Sequence, residues 1–248
     1  MLKVWILRGI RKGVLTTVFP KAPPTIAEIP ERSVPPTVAE TSDWLTGASI
    51  CPTKAIRSDS KMVDLERCIY CRCCAEAGFT FDQAAESRTK SLQAKLNVKS
   101  QLDEFTKRQG TIRRSLHVLM IDVGSCNACN HEVLNLANPY YDLTRLGIFF
   151  TNSPKHADAL IVVGALNKAM TDVLKRTYES VPDPKFVISV GACAASGGIF
   201  QKTESFVSPI QDVIPVDVVI PGCPPSPIQI LEGLLLVNNR MSKEVMTR

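Results

Sequence analysis

Cysteine carries most of the chemistry available to this chain, which has nine of them. Cys68, Cys71 and Cys74 form a C-x2-C-x2-C run (CIYCRCC), and Cys51 is followed by Pro52 in CPTKAI. Bacterial-type ferredoxins hold two iron–sulfur clusters with two C-x2-C-x2-C-x3-C-P motifs, the last cysteine of each serving the other's cluster. Cys51, Cys68, Cys71 and Cys74 make one complete set of that kind. The complementary set would need cysteines ten, seven and four residues before Cys51 and four after Cys74, where Thr41, Trp44, Gly47 and Gly78 stand. One set is whole and the other is missing entire, so the pattern predicts a single 4Fe–4S cluster here. Zinc is the alternative, although zinc knuckles favour paired units with a long spacer. Cys73 falls out of register and reads as a small buried or partly exposed filler. Arg67 and Arg72 flank the run, where positive charge would favour the reduced state of a bound cluster.

A second quartet lies downstream: Cys126 and Cys129 in GSCNACNHEV, Cys193 in GACAASGG and Cys223 in GCPPSP. These loops follow aliphatic runs, LHVLMID (116–122), KFVISV (185–190) and VDVVIP (216–221). Two more such runs, LGIFFT (146–151) and ALIVVG (159–164), and helix-forming segments at 168–179 and 227–238 complete the pattern. Buried strands alternating with helices predict a doubly wound parallel α/β sheet of the flavodoxin-like kind. Open α/β sheets place ligand sites at the carboxyl ends of their strands, where four thiolates would suit an iron–sulfur cluster or a zinc ion. Gly124 permits a tight turn before Cys126, and a helix from about Asn130 would aim N–H groups at the thiolates' charge. A lone C-x2-C also occurs in thioredoxin-like motifs, but two further glycine-flanked cysteines on separate strands do not fit one.

The rest of the chain must position these loops. Its 248 residues divide into an N-terminal amphipathic segment and proline-rich arm (1–40), a small α+β ferredoxin-like module (41–82), a basic linker (83–115) and the α/β domain (116–248). Leu2, Trp5, Ile6 and Ile10 fall on one face of a short basic helix, which would lie on a membrane surface or membrane subunit, or pack on its own domain. The linker shows a helical rhythm at Leu92 and Leu96, and its basic charge reads as a solvated face. Hydrophobic content of 45% suits a globular protein. Net charge is +5 and aromatics are 6%, weaker than a nucleic-acid footprint. No apolar run approaches the roughly 18–20 residues of a membrane span. Arg8, Arg11 and Lys12 interrupt any signal-peptide core, so the cysteines are expected to be ligands and not disulfides.

GSCNACNHE, NPYYDLTRLGIFF, SPKHADALIVVGALNKAM, VISVGACAASGGIF and VDVVIPGCPPSP resemble the small subunit of energy-converting, membrane-bound NiFe hydrogenases of the formate hydrogenlyase type, over about residues 116–238. Residues 1–82, with TTVFP and CPTKAI, resemble the polyferredoxin-like subunit that accompanies such enzymes. The chain looks like a fusion of the two. The resemblance implies that Cys126, Cys129, Cys193 and Cys223 bind the 4Fe–4S cluster proximal to a NiFe centre held by a separate large subunit. It also implies that Glu132 takes part in proton movement, although a first-turn helix carboxylate would serve the helix dipole as well. Asn130–His131 departs from the acidic–aliphatic pair common in that family.

The function expected on that resemblance is electron relay through two 4Fe–4S clusters, with no complete active site in this chain. Expected partners are the NiFe large subunit, membrane-arm subunits and a ferredoxin-like or other donor, at the cytoplasmic side of the cell membrane. The related complex I component, part of a quinone reductase, has adjacent cysteines at the first position, whereas Asn127 and Ala128 separate Cys126 from Cys129. A branch whose large subunit has lost its nickel ligands is a further alternative. A scaffold held by structural zinc is an alternative of another class.

Overall fold

Five parallel strands form the sheet: β4 (Leu116–Asp122), β5 (Ile148–Phe150), β6 (Ala159–Val163), β7 (Phe186–Val190) and β8 (Val218–Ile220). The computed structural model describes residues 5–13, 16, 19–20, 36–38, 42–81, 95–96, 107–108, 110, 115–200, 203–207 and 209–238. In space the parallel strands run β5-β4-β6-β7-β8, so the chain reverses direction across the sheet between β4 and β6. That is the flavodoxin-like order, with its switch point beside β4. A short strand, β3 (Lys95–Leu96), pairs antiparallel with β8 at the far edge. It lies where the linker's leucine rhythm predicts helix; joining an open sheet edge supplies backbone hydrogen bonds that two residues could not make alone.

β6 and β7 are buried at every position, as strands covered on both faces must be. Alternate side chains serve two cores. On one face, Val118, Ile161, Ile188 and Ile220 pack with Val133 of α3 (Ala128–Asn135) and with Ile230, Leu231 and Leu234 of α6 (Pro227–Val237). On the other, Leu160, Val162 and Val187 pack with Leu174 of α4 (Lys168–Ser180) and Ala194 of α5 (Ala192–Ser196). α6 begins with Ser226 and Gln229 in a reciprocal capping box. The sheet, its two covered faces and the strand positions agree with the sequence reading.

Upstream, α2 (Trp44–Ile50) is capped by Asp43, and the hairpin β1 (Ile56–Arg57) and β2 (Met62–Val63) follows. Its small core holds Ile56, Cys74, Ala77 and Phe79, with Trp44 edge-on to Phe79 at 5.2 Å. Thr37 bridges to Thr80, tying part of the proline-rich arm to this unit. The N-terminal helix α1 spans Trp5–Lys12, and Ile10 is 73% exposed. Leu2 of the expected apolar face, most of the proline-rich arm and most of the linker lie outside the described residues.

Two contacts join distant sequence to the sheet. Phe19 is buried in the main core and its carbonyl accepts from Arg145 (3.2 Å). Arg108, in the stretch expected to be a solvated basic face, is instead half-buried. It donates to Asp217 (2.5 Å) and to the Lys185 carbonyl (2.8 Å) and lies over the Phe186 ring. Asp217 also accepts the Val187 N–H (2.8 Å), so it needs a positive partner at the start of β8.

Candidate functional site

The downstream cysteines lie at the carboxyl ends of β4, β7 and β8, but β6 separates β4 from the other two. Gly164 solves that problem. It ends β6 with φ +95, and a Cβ there would stand 2.5 Å from the Ser125 backbone nitrogen, so the loop carrying Cys126 crosses directly over it. On the far side Cys129 reaches Gly191, where a Cβ would stand 2.6 Å from its Sγ. Two close approaches thus bring the first cysteine pair to the loop of Cys193.

Asp122, which no sequence motif singles out, fixes the loop's shape. Its carboxylate accepts from the backbone N–H groups of Gly124 (2.9 Å) and Ser125 (2.8 Å), from the Ser125 hydroxyl (2.7 Å) and from the Asn130 amide (2.6 Å). Burial pushes its carboxyl up, but the Gly124, Asn130 and Ser125 hydrogen bonds outweigh it and hold the group below its ordinary range. α3 starts at Ala128, two residues earlier than expected, from Asn127 in the left-handed region. The signal for Asp122 is local: an aspartate two and three residues before free N–H groups is an Asx turn.

Cys129 and Cys193 are pushed up to about 12 and about 11, first by burial and then by each other's neighbours in the quartet; Cys223 is raised by burial, Cys126 and Cys71. Cys129, Cys193 and Cys223 therefore each feel the charge of other thiols. Crowded thiols of this kind resist ionisation until a cation is supplied, and metal binding deprotonates a coordinating thiol outright. The donor set fits a thiophilic metal centre. Glu132 is half-buried and close enough to Cys129 for its charge to raise that thiol. His131 is exposed, its ring nitrogen 3.4 Å from the Asn127 amide.

The upstream cysteines line a shallow pocket bounded also by Pro52, Ile56, Val63 and Tyr70. Burial pushes the Cys51 thiol up, but N–H groups of Ile56 and Ala55 and the Thr53 side chain outweigh it, and the net shift favours thiolate. The Ala55 N–H lies 3.2 Å from Cys51 Sγ. Cys68 is pushed up to about 12 by burial, against a hydrogen bond from the Tyr70 backbone, with Cys74, Cys51 and Cys71 adding repulsion. Among the described residues no three His, Cys, Asp or Glu side chains converge on one point at the spacing a single ion requires.

Other expectations are modified. Cys73 is exposed and so fills no core space. Arg67 pairs with Asp64 (3.6 Å) and Arg72 lies over the Phe81 ring (5.5 Å), which directs both charges to other partners. Among the described residues no helix is long and apolar enough to cross a membrane.

Residues 126–237, the segment holding all four downstream cysteines, match the family described as NADH ubiquinone oxidoreductase, 20 Kd subunit. An uncharacterized protein of Methanocaldococcus jannaschii is 46% identical over 125 residues, which cover 50% of this chain and 84% of that protein. A probable membrane-bound hydrogenase subunit of Pyrococcus furiosus is 40% identical over 134 residues, 54% of this chain and 80% of its own length. A component of the NADH-quinone oxidoreductase of Citrifermentans bemidjiense is 45% identical over 116 residues, 47% of this chain and 68% of its own. The named relatives are parts of oxidoreductase complexes. By that match the chain belongs to the NADH ubiquinone oxidoreductase 20 Kd subunit family.

Proposed function

We propose that this chain is the electron-transfer subunit of a multisubunit, membrane-associated NiFe hydrogenase. In this reading Cys126, Cys129, Cys193 and Cys223 hold one 4Fe–4S cluster and Cys51, Cys68, Cys71 and Cys74 hold another. Residues 41–82 act as a single-cluster ferredoxin-like module, 116–248 as the small-subunit domain, and 83–115 as the linker between them. Each cluster would take up and release one electron. The residues of this chain supply the setting. Gly164 and Gly191 let the loops meet, Asp122 fixes the Cys126 loop, and N–H groups around Cys51 stabilise thiolate charge.

The observation that carries the reading is the nearness of the two quartets, since the charge of Cys71 raises the cost of ionising Cys223. Electrons could then pass between a donor, the upstream site and the downstream site, and on to a NiFe centre in a partner large subunit. Glu132, beside Cys129, would move protons at that junction. The complex would sit peripherally on the cytoplasmic face of the membrane, against membrane-arm subunits.

A quinone-reducing complex is the second reading, favoured by the 45% identity to a component of an NADH-quinone oxidoreductase. The two-residue gap between Cys126 and Cys129 speaks for the hydrogenase branch. Iron and acid-labile sulfide in the anaerobically purified chain test the core claim, with about eight of each expected for two 4Fe–4S clusters. Zinc without sulfide would leave only a scaffold. Hydrogen evolution against quinone reduction by the purified complex separates the two redox readings.

A further inference from the structure

The two cysteine sites meet along a seam, and a hydrogen bond crosses it. Ser196, the last residue of α5 and three beyond Cys193, donates through its hydroxyl to the Glu66 carbonyl (3.1 Å), two residues before Cys68. Both ends of that bond are fixed by their own loops. On the downstream side the Gly197 N–H donates to the Cys193 carbonyl (2.9 Å) and the Gly198 N–H to the Ser196 hydroxyl oxygen (3.3 Å). A Cβ on Gly198 would stand 3.2 Å from Cys193 Sγ, so the turn after Ser196 wraps directly against a candidate ligand.

Asp64 builds the upstream side. Its carboxylate accepts the Glu66 N–H (3.0 Å), and its carbonyl accepts the N–H groups of Arg67 (3.2 Å) and Cys68 (3.1 Å). Its own N–H donates to the Ala55 carbonyl (2.7 Å), and the Ala55 N–H reaches Cys51 Sγ (3.2 Å). A continuous set of bonds therefore runs from Cys51 through Ala55 and the 64–68 turn to Ser196 and the Cys193 loop. Ser196 is the point at which that set passes from one unit to the other.

Units joined within one chain move relative to each other unless a large apolar interface holds them. The Ser196 hydroxyl has one hydrogen and two carbonyls in reach, Glu66 across the seam and Ala192 one turn back (2.9 Å). With the units apart it falls back on Ala192, as helical serines do, so the seam bond fixes position and adds little binding energy. We propose that Ser196 is a positioning residue whose hydroxyl, bonded to the Glu66 carbonyl, holds the upstream and downstream centres at the separation that electron exchange requires. This rests on the relay reading above. One electron leaves one centre and enters the other, while Ser196 keeps its proton and takes no charge. Electron exchange falls steeply with separation, so a seam left free to shift slows the relay without altering either centre.

The test is electron paramagnetic resonance of the full chain with both centres in place and reduced, where the magnetic splitting between them reports their separation. Freeze-quench kinetics give the rate of exchange. Ser196→Ala removes the hydroxyl, and Ser196→Thr keeps one at the same point. In Ser196→Ala the expected result is iron and sulfide still at about eight each, both midpoint potentials unmoved, a narrowed splitting and slower exchange; Ser196→Thr restores the splitting and the rate. Splitting and rate unchanged in Ser196→Ala, or changed and not restored by threonine, would overturn the assignment. Loss of the downstream centre in Ser196→Ala would make the hydroxyl a part of the Cys193 loop alone and would overturn it too. An unaltered chain with both centres but no splitting would overturn the seam and leave two clusters standing, whereas one without iron and sulfide would overturn the relay reading itself.

Discussion

Replacing Gly191 by alanine probes the downstream site at its tightest point. Gly191 leaves β7 at φ 90, ψ 159, a region essentially confined to glycine, where another residue costs about 1–3 kcal/mol. The new Cβ would also stand 2.6 Å from Cys129 Sγ, and forcing an extra methyl into a packed site costs about 1–3 kcal/mol more. The backbone has little room to retreat. The Gly191 N–H donates to Ile220 (2.8 Å) and the Ala192 N–H to Gly222 (2.8 Å), which ties the turn to the end of β8. The sulfur must therefore rotate away or the turn must open, and either removes one thiol from the quartet. The expected result is a fall from about eight to about four iron and sulfide per chain, loss of the downstream resonance, and retention of the upstream one. The melting temperature should drop by at least about 4 °C, the lower end for a loss near 2 kcal/mol in a chain of this size. Gly9→Ala is the control, since Gly9 lies within α1 with nothing within 4 Å of its added Cβ. A Gly191→Ala protein with full iron and an unchanged melting temperature would refute the argument that this contact shapes the site.

Cys71→Ser should remove only the upstream centre, while Cys73→Ser, at an exposed position, keeps iron near the unaltered value; equal losses in the two would contradict the register of the ligands. Glu132→Gln should leave metal content unchanged and slow hydrogen turnover by the assembled complex, and undiminished turnover would remove the proton role. Arg108→Ala strips Asp217 of its cation and should cost about 1.5–3 kcal/mol, the range for hydrogen bonds to charged groups, read by denaturant unfolding. Glu232 on α6 is pushed up from 4.5 to about 7 by desolvation. Its carboxyl therefore imposes no cost below pH 4.5 and a growing one as pH rises to about 7, at most about 3 kcal/mol at 1.36 kcal/mol per pH unit. Glu232→Gln should be the more stable protein at pH 8 and not at pH 4, as thermal melts at the two pH values would show.

What is legible in the sequence follows from which interactions are local. ALIVV and FVISV read as buried parallel strands because both faces of each are covered, so neither alternates. The cysteine loops stand out because glycine and proline flank them, and that punctuation is local too. Arg108 and Asp217 are 109 residues apart, and nothing near either names the other. β3 reads as helix because a leucine rhythm is all that two residues can show, whereas the open edge of β8 decides their conformation. The crossing of the Cys126 loop over Gly164 depends on strand order, and strand order is not written in any one segment.

The backbone itself marks both quartets as places where local preference yields to assembly. Among the described residues six non-glycine positions have positive φ: Lys54, Lys61, Tyr70, Arg72, Asn127 and Asp142. Four of these, Lys54, Tyr70, Arg72 and Asn127, lie within three residues of a candidate ligand. Each left-handed residue costs roughly 1–2 kcal/mol, and each quartet adds buried thiols that repel when ionised. Strain and repulsion set at the same loops favour opening them in the metal-free chain, whereas sulfur–metal bonds offset both at once because they form only with the loops closed. The clusters of the proposed relay would then be part of what folds the loops, and the free energy of binding would appear as stability of the very turns that bring the two sites together.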